Sequence, residues 1–158
     1  MICGAYRLCK TKYNQIEAYN GAGAALYPGR WNLSNQKMIY TSDTPSLALL
    51  EMLVHSVPKS FEHYHIIPCE FDDSLIETAD LSLLPVSWEK LDSIDAEYQN
   101  IQTIGGLWYH ERRSVIFKVP SAVMPIQYNY LINPDHTDFP KISIGQPIPH
   151  VPDPRLYR

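Results

Sequence analysis

The chain has 158 residues, of which 45% are hydrophobic and 19% charged, and its formal net charge is −4. This balance is that of an ordinary folded domain, and it excludes an intrinsically disordered chain. The mild acidity argues against a surface that coats nucleic acid, which usually carries a basic excess. We therefore expect one compact domain over residues 1–158 that makes no direct contact with nucleic acid.

The sequence also bears on where the protein resides. No stretch approaches the ~20 apolar residues that a membrane-spanning helix requires. The N-terminal residues contain no apolar segment of signal-peptide length. Cys3, Cys9 and Cys69 are odd in number and form no CxxC pair, so we expect reduced thiols. Together these features predict a cytoplasmic protein without membrane attachment.

The secondary structure expected from the sequence mixes strands and helices without a repeating βαβ rhythm. In chain order, the predicted elements are strands at 3–9 and 37–42, a helix at 46–55, a strand at 64–71, a helix at 95–104, and strands at 114–119, 127–132 and 141–144. The first helix has the clearest start, because a polar cap candidate precedes Pro45. Prolines crowd the last dozen residues, so an extended strap is predicted there. The predicted class is α+β.

Glu51 is the only charged residue in the apolar segment 47–54. On a period of about 3.6 residues it shares a helical stripe with apolar neighbours, which places its carboxylate against the core. Those neighbours are Leu47, Leu50 and Val54. A buried carboxylate needs a cationic or hydrogen-bonding partner, and such groups concentrate at functional sites. A structural salt bridge would produce the same pattern.

Arg30 is the candidate partner for Glu51 and a candidate ligand for an anion. It follows Pro28 and Gly29, a turn in which glycine lets the backbone approach a ligand closely. Its planar guanidinium can bind phosphate through two hydrogen bonds. The alternative is an arginine that stacks on Trp31 at a loop surface.

Two further residues are candidates for the same site. Tyr40 ends a strand just before the Glu51 helix, so its ring either lines the cleft or belongs to the core. Ser121 ends a strand at a turn of small residues, but no GxSxG motif surrounds it. We therefore expect Ser121 to donate or accept hydrogen bonds rather than to act as a nucleophile.

The histidines do not form a recognisable metal motif. His63 and His65 are expected on the same face of a strand, and His55 lies upstream. No HExxH or CxxC spacing completes a zinc site. Histidines on a strand are the simpler interpretation. We expect no metal ion and no prosthetic group.

Six segments of the chain, taken in order, resemble the RES-domain toxins. They are Gly29–Asn32, Ile39–Ser42, Leu47–His55, Val119–Val123, Asn129–His136 and Asp153–Leu156. The family is named after an Arg, a Glu and a Ser, which fall here on Arg30, Glu51 and Ser121. Two positions depart from the family pattern: Pro28 replaces a glycine, and residues 105–108 read Gly-Gly-Leu-Trp where Gly-Asp-x-Trp is usual.

The resemblance implies the toxin of a bacterial type II toxin–antitoxin pair. The implied fold is similar to that of ADP-ribosyltransferases, with two facing sheets, flanking helices and an NAD cleft between the sheets. Family members consume NAD+ by phosphorolysis or hydrolysis of the nicotinamide–ribose bond, and some relatives ADP-ribosylate a protein. NAD+ is then the substrate and inorganic phosphate a candidate co-substrate. The implied partner is an Xre-type helix-turn-helix antitoxin, with a higher-order complex as a candidate assembly.

The resemblance also assigns expected roles. Arg30 and Arg7 would bind the NAD+ diphosphate, and Tyr40 would stack on nicotinamide. Glu51 would stabilise an oxocarbenium-like transition state or orient the attacking group. Ser121 or Asn133 would hydrogen-bond the ribose or the carboxamide. A non-catalytic module that binds a nucleotide or only an antitoxin is the alternative from another functional class.

Overall fold

The structure is a computed structural model that describes residues 1–55 and 63–156. Within these ranges the strands are β1 (Ile2–Lys10), β2 (Ile39–Ser42), β3 (Tyr64–Asp72), β4 (Ile76–Thr78), β5 (Ile116–Pro120), β6 (Tyr128–Ile132), β7 (Ser143–Ile144) and β8 (Ile148–Pro149). The helices are α1 (Gln15–Ala18), α2 (Ala22–Leu26), α3 (Pro45–His55) and α4 (Tyr98–Glu111). The predicted α+β class is confirmed.

All the described strands belong to one mixed sheet. Its order is β4-β5-β6-β2-β1-β3-β7, with β8 paired to β3, and β4 and β5 are the parallel neighbours. The expectation of two facing sheets is therefore wrong for this chain. The single sheet is nevertheless almost divided in two. Strand β1 pairs with β3 along its whole length but joins β2 through the single pair Tyr6–Ser42. The sheet thus consists of two halves connected at a narrow junction.

A hydrophobic core on one face of the sheet bridges these two halves. Ile67 of β3 and Ile132 of β6 belong to the same buried cluster, with Tyr19 and Phe71 beside them. One buried cluster thus spans strands on both sides of the junction, as in a sheet that curls into a half-barrel. Cys9 and Cys69 are buried in this cluster and Cys3 packs against it; all three are free thiols, as the sequence predicted.

A second buried cluster lies between the opposite face of the sheet and α4. Trp108 of α4 stacks on Phe117 of β5, with ring centroids 5.2 Å apart and planes within 13°. Trp31 meets the edge of the same phenylalanine ring at 6.3 Å. This cluster fixes the loop that carries Arg30 against the sheet.

Helix α4 continues well beyond the predicted end at residue 104. Gly105 and Gly106 directly follow the predicted end, and glycine usually weakens a helix. In the structure both glycines are buried where the helix approaches the Trp31 loop, and a Cβ on Gly105 would lie 1.9 Å from the Trp31 carbonyl oxygen. The glycines therefore permit close packing instead of ending the helix, which stops at Arg112 in a left-handed conformation.

The proline-rich C-terminal segment runs along the surface as predicted. Within it, β8 pairs with His65 and Ile66 of β3, and a short 3-10 turn covers Pro154–Leu156. A groove of about 340 Å³ separates the segment from α3, with His150 and Leu156 on one wall. Among the described residues, no helix has the length and apolarity to cross a membrane.

Candidate active site

Helix α3 presents Glu51 to the sheet. Its start is as predicted, since Thr44 Oγ1 accepts a hydrogen bond from the Leu47 amide at 3.1 Å. Leu47 is fully buried and Glu51 is half-buried one turn later, so these two positions of the predicted stripe are confirmed. Val54 is 63% exposed, so the stripe does not extend that far.

The Glu51 carboxylate is bound by two neutral side chains. Its Oε1 accepts from Ser121 Oγ at 2.7 Å and from Asn129 Nδ2 at 2.6 Å. The expectation that Arg30 would pair with Glu51 is wrong, and the described residues show no structural salt bridge in its place. No ion pair to Glu51 is present in residues 1–55 and 63–156, so its negative charge is not neutralised there.

Arg30 instead faces the segment that leads into α4. Its Nη1 donates to the Trp88 carbonyl at 3.1 Å, and its guanidinium carbon lies 5.2 Å from the centre of the Tyr98 ring. The stacking partner is thus Tyr98 and not Trp31, because the Trp31 ring packs against Trp88 and Phe117. The Arg30 guanidinium is therefore held over the Tyr98 ring, and only its Nη1 has a hydrogen-bond partner among the described residues.

Tyr40 connects the Arg30 loop to the sheet. Its hydroxyl donates to Asn32 Oδ1 at 2.6 Å and accepts from the Trp31 amide at 3.2 Å. Gly29 is required here, because a Cβ at that position would lie 2.7 Å from the Tyr40 hydroxyl. Burial raises the pKa of the phenol well above its ordinary value, so Tyr40 stays neutral at physiological pH.

Arg7 lies at the junction between the two halves of the sheet. It follows Tyr6, which pairs with Ser42, and its Nη1 donates to the Tyr40 carbonyl at 3.0 Å. Burial lowers the pKa of its guanidinium, and its buried Nε has no hydrogen-bond partner in the part of the chain that the structure describes. Strand alternation places the Arg7 side chain on the opposite face of the sheet from Tyr6 and Ser42, on the side of the first buried cluster, so Arg7 contacts the backbone of Tyr40 and not the Glu51 cluster.

Asn133 is not brought together with Glu51. It follows β6 at the end opposite Asn129, about 13 Å away along the strand. Its side chain is buried and its Oδ1 accepts from the Asp135 amide at 2.9 Å, which is the geometry of a local turn. A role in binding a ligand remains a prediction that these contacts do not test.

The histidines show no metal-binding arrangement in the described residues. No group of three or more His, Cys, Asp or Glu side chains lies close enough to hold an ion among residues 1–55 and 63–156. His65 is buried on β3 beside β8, whereas His63 is exposed.

Two site residues were missed by the sequence argument. Asn129 and Ser42 both occur in the motifs quoted for the resemblance, but neither was assigned a role. They are directly opposite each other on β6 and β2, and Ser42 Oγ donates to Asn129 Oδ1 at 2.8 Å. Strand alternation indicates that Ser42 shares a face with Tyr40, but the pairing register that brings Asn129 beside them is not visible in a single sequence.

The arrangement combines a carboxylate that has no ionic partner among the described residues with the guanidinium of Arg30 and aromatic side chains. Glu51, Ser121, Asn129 and Ser42 form one hydrogen-bonded cluster on the sheet face under α3. Tyr40 is two residues from Ser42 on the same face and leads to the Arg30 loop. A negative charge beside hydrogen-bond donors suits a substrate that carries positive charge at one end and phosphate at the other.

The family model of the RES domain matches residues 5–154. The chain belongs to the RES domain toxin family. It is 33% identical over 153 residues to "Toxin Res" of Yersinia enterocolitica, covering 96% of this chain and 97% of that protein. It is 31% identical over 150 residues to the "Prs ADP-ribosylating toxin" of a Sphingobium species, covering 91% and 89% respectively.

The fold comparison gives a concordant result. A chain of the M. tuberculosis MbcT–MbcA toxin–antitoxin complex superposes with a TM-score of 0.68 at 16% identity, covering 99% of this chain and 87% of that one. At this level of identity the similarity concerns the fold.

Proposed function

We propose that this chain is a toxin that consumes NAD+ by cleaving the bond between nicotinamide and ribose. The observation that carries the proposal is the state of Glu51. Its Oε1 is held by Ser121 and Asn129, and in the described chain no cation neutralises it. A fixed negative charge of this kind stabilises the positive charge that develops on the ribose ring as the glycosidic bond breaks.

Cleavage of the nicotinamide–ribose bond needs few catalytic groups besides this carboxylate. When the C–N bond breaks, its electron pair moves onto the ring nitrogen, so the cationic nicotinamide group leaves as a neutral molecule. The ribosyl carbon then bonds to an oxygen of water, which releases one proton to the solvent, or to an oxygen of inorganic phosphate. No general acid is needed at the leaving group, and Ser121 keeps its proton in the hydrogen bond that it donates to Glu51.

The proposed binding mode uses Arg30 for the diphosphate. Among the described residues Arg30 donates only to the Trp88 carbonyl, so its other donors can bind phosphate oxygens. Arg7 was expected to share this role, but its side chain is buried on the opposite face of the sheet, so we assign the diphosphate to Arg30. Tyr40 would stack on nicotinamide, as the resemblance implies. Asn133 lies at the far end of β6, so we propose for it at most a contact with a distal part of the substrate.

Replacing Arg30 by Lys should raise the KM for NAD+ about tenfold and change kcat little. Lysine keeps the charge but loses the planar fork, and one charge-assisted hydrogen bond contributes about 1.5 kcal/mol or more. Steady-state rates of nicotinamide release at varied NAD+ measure this effect. Arg155→Lys, at an exposed arginine paired with Asp153, is the matched control, and an unchanged KM in Arg30→Lys would exclude contact with the diphosphate.

Expression in cells tests the proposal at the level of toxicity. Induction of the wild-type chain should stop growth and lower the cellular NAD+ pool, and Glu51→Ala should relieve both effects. Growth arrest with an unchanged NAD+ pool would contradict NAD+ consumption. Unaltered growth at confirmed expression would favour a non-catalytic module that binds a nucleotide or an antitoxin.

Transfer of ADP-ribose to a protein is the second candidate reaction. The specific observation in its favour is the 31% identity to a relative whose name is "Prs ADP-ribosylating toxin". Incubation with NAD+ labelled in the adenylate part distinguishes the outcomes, since label on a protein band indicates transfer. Soluble ADP-ribose indicates hydrolysis, and its phosphorylated form indicates phosphorolysis.

We further propose that an antitoxin of the Xre type silences the toxin by occupying the cleft. The similar MbcT–MbcA structure is a toxin–antitoxin complex, which supports the existence of such a partner. A carboxylate of the partner set against Arg30 would mimic a phosphate. The co-purified pair should then fail to bind NAD+ in calorimetry while the free toxin binds it, and equal affinities would show that the partner acts elsewhere.

A further inference from the structure

The hydroxyl of Ser121 has only one direction in which to donate. Its Oγ accepts from the backbone amides of Val123 and Met124 at 3.1 and 3.0 Å. A serine hydroxyl has two acceptor sites and one proton, so these two bonds leave only the proton, which points to Glu51 Oε1. Ser121 is thus a fixed donor to the carboxylate and is not free to act as a nucleophile.

The amide of Asn129 is oriented just as strictly. An ionised carboxylate only accepts hydrogen bonds, so the group that faces Glu51 Oε1 at 2.6 Å must be Nδ2. This leaves Oδ1 to accept from the Ser42 hydroxyl at 2.8 Å. Ser42 is only 4% exposed, so its proton has few alternative acceptors and the amide is locked in this orientation.

Both donors reach the same oxygen of Glu51. Ser121 follows β5, Asn129 lies on β6 and Ser42 on β2, three adjacent strands whose registers are fixed by the ladder. Oε2 receives no hydrogen bond from any residue that the structure describes. Within the described residues the carboxylate is therefore anchored through one oxygen, and the other is available to a ligand.

We propose that Asn129, oriented by Ser42, is a positioning residue that fixes the Glu51 carboxylate so that Oε2 is presented to the ribose of the substrate. The proposal rests on the NAD+-cleaving function proposed above. Asn129 itself need not touch the substrate. Its contribution is to prevent rotation of the carboxylate away from the position at which its charge stabilises the transition state.

The test compares Asn129→Ala and Ser42→Ala with the control Thr41→Val. Thr41 is adjacent to Ser42 on β2 and its hydroxyl donates to the Tyr130 carbonyl at 2.7 Å, but its side chain is on the opposite face of the sheet. Thr41→Val therefore removes an equally buried hydrogen bond without touching the Glu51 cluster. Thermal unfolding of all variants reports any general loss of stability.

Asn129→Ala should lower kcat about 100-fold, the scale expected for a misplaced catalytic group, with the KM for NAD+ within about twofold of wild type. Ser42→Ala should lower kcat about fivefold, the loss expected for one neutral hydrogen bond. The double variant should be no slower than Asn129→Ala alone, because Ser42 acts only through Asn129. Thr41→Val should keep the wild-type kcat.

Four results would overturn the proposal. They are a wild-type kcat in folded Asn129→Ala, additive losses in the double variant, a loss that appears in KM alone, and an equal loss of kcat in Thr41→Val. The wild-type chain, assayed in parallel, separates the two claims. Absence of nicotinamide release from the wild type overturns the proposed function and this role with it, whereas release that Asn129→Ala leaves unchanged overturns only the role of Asn129.

Discussion

Glu51→Gln should reduce nicotinamide release at least about 100-fold while the protein stays folded. Glutamine is isosteric, and its carbonyl oxygen can accept from both Ser121 and Asn129 as Oε1 does. The substitution therefore keeps the contacts and removes the charge. Loss of one preorganised electrostatic contact at a transition state typically lowers kcat by about 10²–10³-fold.

The matched control for this result is Glu70→Gln. Glu70 is an exposed acid on β3, so its replacement changes the net charge equally without altering the cluster under α3. Kinetics of both variants at saturating NAD+ make the comparison. If Glu51→Gln were as active as Glu70→Gln, the carboxylate would have no electrostatic role.

Gly105→Ala should lower the free energy of unfolding by about 3 kcal/mol, at the upper end of typical overpacking costs. A Cβ at this position would lie 1.9 Å from the Trp31 carbonyl oxygen, and both partners are backbone that cannot rotate away. Helix and loop must separate, which for a chain of this size lowers the Tm by about 10 °C. Because Trp31 adjoins Arg30, the KM for NAD+ should also rise.

Gly23→Ala provides the control for a glycine in a helix. Gly23 lies in the short helix α2, and a Cβ there would meet no atom within 4 Å. Alanine at such a site usually stabilises a protein by about 0.4–1 kcal/mol. Denaturant unfolding of the two variants should therefore give shifts of opposite sign. Equal shifts would show that the contact between Gly105 and Trp31 does not limit stability.

Local patterns in the sequence predicted the helices and strands better than the side-chain contacts between them. The Thr44 cap and the apolar period placed α3 and turned Glu51 toward the sheet, because both signals lie within one helix. The sequence did not predict short elements such as α1 and β4, because three or four residues are too few to show a periodic spacing of apolar side chains. Helix α4 was predicted too short because the need for Gly105 arises from tertiary packing.

The partners in the site depend on register, which the sequence does not specify. Asn129 and Asn133 lie at the two ends of β6, and only the pairing of Asn129 with Ser42 shows which of them reaches Glu51. Arg30 was expected beside Glu51 on charge alone. The packing of Trp31 against Trp88 turns the arginine toward Tyr98 instead.

The central claim is that this chain breaks the nicotinamide–ribose bond through the Glu51 cluster. A proton NMR time course of NAD+ with catalytic amounts of antitoxin-free protein, with and without phosphate, tests it most directly. We predict that the signal of the nicotinamide ribose C1′ proton disappears as free nicotinamide appears in equal amount, and that Glu51→Gln abolishes this conversion. An NAD+ spectrum that stays unchanged with folded wild-type protein under both conditions would contradict the claim.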